Sequence, residues 1–580
     1  MDSNHIKTPT KIWLEFEKGL NYLEKSKLKD EWDECERFYE GEHWPQATER
    51  TRNMPRPVVN ICSMIADNKK AGILSSEIKM LFKPSEVFGE GLESAENGAE
   101  IFTKFADIIA KELKQKELDD LAQDSAVQIG TYIYHYYWDP TISGGMQTPY
   151  VGGLRGEVIH PKHVVFANPI EKDEQKQKYI IIASAEPLKS VKALAKRNGV
   201  KDFETITSDN ELETDNTEEI DLCTVLTRYS RINGKVVWEK STKYHYIQEP
   251  TYWEPNAKKI KIDEDGNVSV NEDEQEINEP ETTNYNGYFR KQLYPIVVGN
   301  HKDRKSSIYG IGEIKQAIPN NKSINFNIGM MLLSVQNTAW PKLIQKVNAL
   351  ARQQITNEPG QIITDNSKVS GWGVKYLETP AFNSQALTLT NTIIDLTRTV
   401  TGSTEITNGE TLGANMAASA IIALQNQAKK PIETYQKKLY RVYEKIGKIY
   451  EQFFKYYYND GRLFSYEEDS ETKVVKFNGE VYKDTDFNLT IEIGEKGVFS
   501  ESLTIQLLDT LKAAGDIDTD EYIELYPESI MTFKEKLKKM REKKMLEQQM
   551  LLEQEQMLNE MAQMEAQGIP NPMNMPNKVI

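Results

Sequence analysis

Cysteine is scarce in this chain of 580 residues: Cys35, Cys62 and Cys223 are the only three, scattered and odd in number. That argues against a disulfide framework and for a reducing compartment. Long apolar runs are missing too. No stretch of 18 or more apolar residues occurs, so no transmembrane helix is expected. The opening residues, MDSNHIKTPTKIWLEFEKGL, lack the apolar core of a signal peptide. Positive charge is in deficit, with 71 Lys and Arg against 88 Asp and Glu, a net charge of −17. A protein that grips nucleic acid by neutralising phosphates usually carries a basic excess. Either DNA is irrelevant to this chain, or the chain handles DNA without holding it. From composition alone, acidity that keeps a large protein in solution is the simpler reading.

Catalytic motifs are also lacking. A phosphate loop needs an upstream glycine and a closing Gly-Lys-Ser/Thr, so that backbone amides cradle phosphate and the hydroxyl holds magnesium. Gly234-Lys235 and Gly447-Lys448 are followed by Val and Ile and have no such glycine. Gly310 and Gly312 begin like a dinucleotide fingerprint, but Lys315 stands at the third glycine position. His160 and His163 form H-x-x-H beside Pro161 with no third ligand at metal spacing, which reads as a surface loop. Asp516, Asp518 and Asp520 start like a calcium loop. Glu521 then occupies the glycine position and Pro527 the bidentate-glutamate position, so helix capping by Thr519 or Asp520 explains the cluster better. The sequence shows no catalytic centre and implies no metal and no cofactor.

The chain is long enough for several domains. Its dominant feature is a helical stripe from Met416: Ile421, Leu424, Ala428, Ile432, Tyr435, Leu439, Val442, Ile446, Ile449, Phe453 and Tyr457. Such a helix spans roughly 60 Å. Pro431 lies inside it, where the missing N–H and the ring clash cost about 3 kcal/mol, so a kink is expected there. The preceding stretch, Thr401 to about Asn415, is small, polar and Gly-containing and can form only a loop.

Upstream, Trp13, Phe16, Leu20 and Leu23 begin a stripe that continues through Trp32 and Phe38 and ends at Gly41 and Pro45. A helix through Ile65, a strand closed by Pro84, one helix over residues 97–129 and the aromatic strand GTYIYHYYWDP follow. Residues 150–300 read mainly as β, with hairpin turns at Asn233-Gly234 and Asp265-Gly266 and one helix around PLKSVKALAKRNGV. Helices are expected from Gly310 to about Thr338, where Pro319 interrupts, and from Ser384 to Thr401, with a compact α+β insert between them. A hairpin turning at Asn478-Gly479 and the strand DFNLTIEIGE come next, and the remainder from Ser500 is helical. Met550, Met557 and Met564, seven residues apart, suggest self-association or a helical barrel; a solvated helix is the equal alternative.

Several segments together resemble the portal proteins of tailed bacteriophages, particularly the larger portals of podovirus and siphovirus type. They are FYEGEHWP with RPVVNICSMIADNKKAGILSSEIKMLFKP, VIHPKHVVFANPI, YGIGEIKQAIPNNKSINFNIGMMLLSVQNTAWPKLI and TGSTEITNGETLGANMAASAIIALQNQ. Ala167-Asn168 and Ala417-Ala418 depart from the commoner pattern, and the order of segments carries the likeness. The resemblance implies an α+β portal fold with an α/β wing, a two-helix stem, a small clip, a long kinked helix and a helical crown. The implied division is wing 1–305, first stem helix 306–338, clip 339–382, second stem helix 383–401, tunnel loop 402–415, long wing helix 416–459, wing strands 460–500 and crown 501–580.

It also implies a homo-oligomeric ring of twelve subunits at one capsid vertex of the virion, assembled in the bacterial cytoplasm with no membrane involved. Double-stranded DNA would pass through its channel. The terminase large subunit, the major capsid and scaffolding proteins and a head–tail adaptor are the implied partners. Within the tunnel loop, Thr404, Thr407, Asn408, Thr411 and Asn415 would present neutral polar groups to passing phosphates, and Glu405 and Glu410 would repel them. In the clip, Trp340, Lys342, Lys346 and Arg352 are candidates for terminase docking or a basic ring, with core packing the plainer role for Trp340. Another structural head–tail adaptor, or less plausibly a terminase or nuclease, is the competing reading.

Overall fold

The computed structural model describes residues 8–49, 51–52, 54–85, 92–145, 149–209, 221–232, 234–255, 261–262, 268–269, 292–339, 341, 343–345, 374–376, 384–402, 418–468, 471–482, 485, 487–494, 498–526, 536–537, 540–541, 543–545, 547–554 and 556. Among the described residues it is 52% helical and 25% strand, the mixed class expected. By its contacts the chain divides into a large unit (1–74, 78–464 and 474–493) and a small one (75–77, 465–473 and 494–580).

The N-terminal stripe is two helices, not one: α1 (Pro9–Lys25) and α2 (Leu28–Tyr39). Lys27 between them adopts φ 56°, a left-handed conformation that no helix can pass through. The helix expected over 97–129 is likewise broken. After α3 (Ile61–Ile73) and β1 (Glu77–Pro84), it forms α4 (Leu92–Glu112) and α5 (Gln115–Gln128), with Lys114 at φ 54°. The break resets the helical phase, and Leu121 is exposed.

The aromatic strand is β2 (Thr131–Gly144), which pairs antiparallel with β3 (Tyr150–Ile159). A five-stranded antiparallel sheet follows, in sequential order: β4 (Val164–Phe166), β5 (Tyr179–Pro187), β6 (Leu222–Ile232), β7 (Lys235–Ser241) and β8 (Tyr246–Tyr252). Its alternation puts Ile181, Ala183 and Leu226 against Ile12, Trp13 and Phe16 of α1. Cys223, Val225 and Ile247 turn the other way, onto Val191 and Ala195 of α6 (Leu188–Arg197). The sheet is thus covered on both faces. All three cysteines are free and buried, and burial pushes each thiol up to about 12.

The short β9 (Lys261–Ile262) and β10 (Val268–Ser269) pair antiparallel, Ile262 opposite Val268, and the Asp265-Gly266 turn expected between them lies outside the described residues. β11 (Ile296–Asn300) adds to β2. Then come α7 (Ile314–Ala339), the antiparallel pair β12 (Leu343–Gln345) and β13 (Val374–Tyr376), and α8 (Gln385–Thr401). Pro319 lies inside α7, which continues past it. The long helix is α9 (Ala418–Tyr457), and it runs through the exposed Pro431. Its C-terminal half supplies Phe454, and Tyr458 follows directly after it, in an aromatic core with Phe82, Phe102, Phe105, Phe464, Phe477 and Phe487.

β14 (Arg462–Glu468) and β15 (Glu471–Phe477) form a ladder, and β16 (Phe487–Gly494) pairs with β1. The hairpin turn expected at Asn478-Gly479 is therefore displaced. Asn478 and Gly479 follow the second strand and open a 3-10 turn. The glycine serves close approach instead, because a Cβ there would collide with the Phe454 carbonyl. In the small unit, α10 (Val498–Ala514) packs on α11 (Thr519–Leu525), and the later described residues are mainly helical. Asp518 caps α11 in a capping box with Glu521, so capping does explain the acidic cluster, through Asp518 rather than Thr519 or Asp520.

Candidate functional site: the paired helices and their root

α7 and α8 pack side by side, and Asn320 Nδ2 donates to Thr397 Oγ1 across them (2.9 Å). The amphipathicity of α8 is inverted. Thr390, Thr397 and Thr401, at i, i+7 and i+11, are buried, while Leu389, Leu396 and Val400, one residue earlier each time, are 54%, 56% and 69% exposed. Threonine can line the inside because each hydroxyl is satisfied within its own helix. Thr390 donates to the Ala386 carbonyl (2.8 Å), Thr397 to Ile393 (2.6 Å) and Thr401 to Thr397 (2.8 Å). The outward row has no such compensation, since burying one leucine is worth about 1.5–3 kcal/mol. On α7, Phe326 and Met330, four residues apart, are exposed as well. Large apolar residues held outward on rigid helices make a surface for another apolar surface, and nothing in these rows could do acid–base or nucleophilic chemistry.

The helices converge on a charged root. α8 ends at Gly402, which at φ 66° turns its N–H back to the Arg398 and Thr399 carbonyls. A Cβ at Gly402 would sit 3.5 Å from Lys69 Nζ, on α3. Lys69 lies over the Tyr435 ring of α9 (5.6 Å), and that ring stacks on His301 (4.1 Å, 2°). His301 Nε2 meets Glu313 Oε2 at 2.9 Å, and Lys302 Nζ meets the same oxygen at 2.9 Å. Lys438 of α9 donates to the His301 carbonyl (3.0 Å) and to Asp303 (2.9 Å).

Burial alone would raise the Glu313 carboxyl, but the His301 hydrogen bond and the Lys302 ammonium outweigh it and hold it at about 2. Burial pushes His301 down against the pull of Glu313, so the pair is an ionised carboxylate accepting from a neutral imidazole. Lys69 is also pushed down by burial, with Glu313 opposing. These groups tie the start of α7, the end of α8 and α9 to α3 at one point.

Thr404, Glu405, Thr407, Asn408, Glu410, Thr411 and Asn415 lie outside the described residues, as do Trp340, Lys342, Lys346 and Arg352. What is described is the frame on either side of them: Gly402 and Ala418, and the register of Leu343 on Tyr376. Sequence reading missed Lys69, His301 and Glu313, whose only signal was the density of charge in HKDRK beside GIGEIK.

The glycines of that second motif have a packing role. A Cβ on Gly310 would strike the Gly130 carbonyl, and one on Gly312 the Gln128 carbonyl. His160 is no metal ligand: Nε2 bonds Glu36 and Nδ1 accepts from the Lys162 amide. Among the described residues no cluster suits a metal, and no helix is long and apolar enough to cross a membrane. A family model described as phage P22-like portal protein matches residues 16–578. A search of the curated proteins found no match.

Proposed function

The chain belongs to the phage P22-like portal protein family, and we propose that it forms a closed ring, of twelve subunits, at one capsid vertex. Double-stranded DNA passes through the ring during packaging and ejection. Members of this family are structural rather than catalytic. The observation that carries the ring is the inverted helix α8: its Leu389, Leu396 and Val400, with Phe326 and Met330 of α7, are exposed in a single chain. A neighbouring copy covers them in the ring. A surface patch that repeats on every copy and meets a different patch on the next one generates a ring when the rotation closes.

In this reading α7 and α8 are the stem, residues 339–382 the clip and 402–415 the tunnel loop. Residues 1–305, 416–459 and 460–500 build the wing, and 501–580 the crown. Pro431 bends the long helix. Thr404, Thr407, Asn408, Thr411 and Asn415 face passing phosphates, with Glu405 and Glu410 preventing retention. Lys342, Lys346 and Arg352, beside Trp340, meet the terminase large subunit, whose place a head–tail adaptor later takes. The net charge of −17 supports a conduit, since a wall that repels phosphate leaves DNA mobile.

Negative-stain imaging with native mass spectrometry on the same sample tests the assembly. Rings with an axial hole and near twelve copies are expected, alone or with scaffolding protein. A closed dimer or tetramer without a hole ends the proposal.

A further inference from the structure

His43 lies at the centre of a satisfied polar network that joins α2, the extended segment 55–60 and α7. It is 7% exposed, and its ring stacks on Phe38 (4.6 Å, 14°). Nε2 contacts the Phe38 carbonyl at 2.8 Å. Nδ1 faces two amide nitrogens, Asn321 Nδ2 at 3.1 Å and Asn325 Nδ2 at 2.6 Å. The two asparagines stand four residues apart on α7, and their orientation is not free. Asn321 Oδ1 accepts from the Ile61 N–H (3.0 Å) and Asn325 Oδ1 from the Val59 N–H (2.9 Å). Asn321 Nδ2 also donates to the Val59 carbonyl (3.0 Å). A backbone N–H can only donate, so both amide oxygens are assigned by their partners. The amide nitrogens must then be what His43 meets, and its Nδ1 must be a lone pair with the proton on Nε2.

We propose that His43 is a proton-operated latch, which seats segment 55–61 on α7 while neutral and lets it go when protonated. A proton on Nδ1 would place an N–H against two NH₂ groups, and both hydrogen bonds into the imidazole would be lost. Turning the ring does not help, because Nε2 then leaves the Phe38 carbonyl. The surrounding charges are engaged elsewhere. On α2, Glu34 holds Lys322 and Glu31 holds Lys315 and Arg304. On α3, Asp67 accepts from Tyr39 and Lys70 pairs with Asp124. Arg56 on the segment bonds the Pro45 carbonyl and Thr51, and Glu42, next in sequence, is exposed. Lys322 lies over the Phe38 ring (5.3 Å), which puts a positive charge behind the ring on which His43 stacks.

The latch is independent of the ring proposal, since every group in it belongs to one chain. Its effect is on α7: Gly329 packs so close to the Pro55 carbonyl that a Cβ would lie 3.1 Å from it, so freeing the segment uncovers that face of the helix.

Hydrogen–deuterium exchange of the full chain at pH 7.5 and 5.5, corrected for intrinsic exchange, tests this. Peptides spanning residues 57–61 are expected to lose about tenfold in protection at the lower pH, while those of β6 do not change. His43→Gln is expected to show the same protection of 57–61 at both pH values. Wild-type protection that stays constant, or a pH-dependent change that persists in His43→Gln, overturns the latch. Should that variant not fold, the double variant Asn321→Ala/Asn325→Ala takes its place, because it removes both amides that meet His43 Nδ1 and the acceptors of the Val59 and Ile61 amides at every pH. A Val59 amide that still responds to pH in that variant overturns the proposal equally.

Discussion

Glu313 stands one residue before α7, almost wholly buried, with His301 and Lys302 on one of its oxygens. Its carboxyl is held at about 2 against an ordinary 4.5. A depressed carboxyl stabilises the fold above its unfolded value, and that contribution is lost as pH falls through the folded one. The window therefore runs from about 4.5 down to about 2, and the difference is worth on the order of 3 kcal/mol. Glu313→Gln is expected to lower the unfolding free energy at pH 7 by about that much and to flatten the acid limb in denaturant titrations. Wild-type stability of the variant at pH 7 would remove the assignment. The buried Asp119 shows a different balance. It accepts from Tyr134 (2.7 Å), Gln115 (2.9 Å) and Tyr443, yet burial wins and raises its carboxyl. The strand carrying Tyr134 was legible as an aromatic run. The convergence of its hydroxyl with that of Tyr443 on Asp119 was not, because the partners are brought together only by packing.

Among the elements, α8 is the one whose pattern misleads. In QALTLTNTIIDLTRTVT, polar and apolar residues nearly alternate, and a helical reading would bury the leucines. The structure buries the threonines instead, since back-bonding within the helix satisfies their hydroxyls. Replacing outward Leu389 and Leu396 together by Gln is thus expected to leave the stability of the isolated chain within about 0.5 kcal/mol per site. The same change should reduce ring formation at least tenfold by native mass spectrometry. A large loss of monomer stability would mean that the row is buried within one chain. Helix existence was legible for α1 through α9, whereas the breaks at Lys27 and Lys114 were not. A lysine at positive φ leaves no mark in the periodicity; it is held there by the packing of the helices on either side.

At the scale of the whole molecule, the conduit proposed above must pass DNA without keeping it. At physiological salt the assembled protein is expected to show no retained duplex in gel-shift assays; submicromolar binding that weakens steeply with salt would contradict an acidic, non-gripping wall. Composition and periodicity alone determined the mixed class, the reduced cysteines, the absence of a phosphate loop and the long helix of residues 418–457, because each follows from local residue types. The order of recognisable segments also led to the family, since order survives where single motifs do not. Tertiary structure decided which face of α8 looks outward, that Gly310, Gly312 and Gly479 serve close approach, and that Lys69, His301, Glu313 and Tyr435 meet at one root. These depend on contacts between residues far apart in the chain, where burial and the pairing of polar groups, not local preference, set the energy.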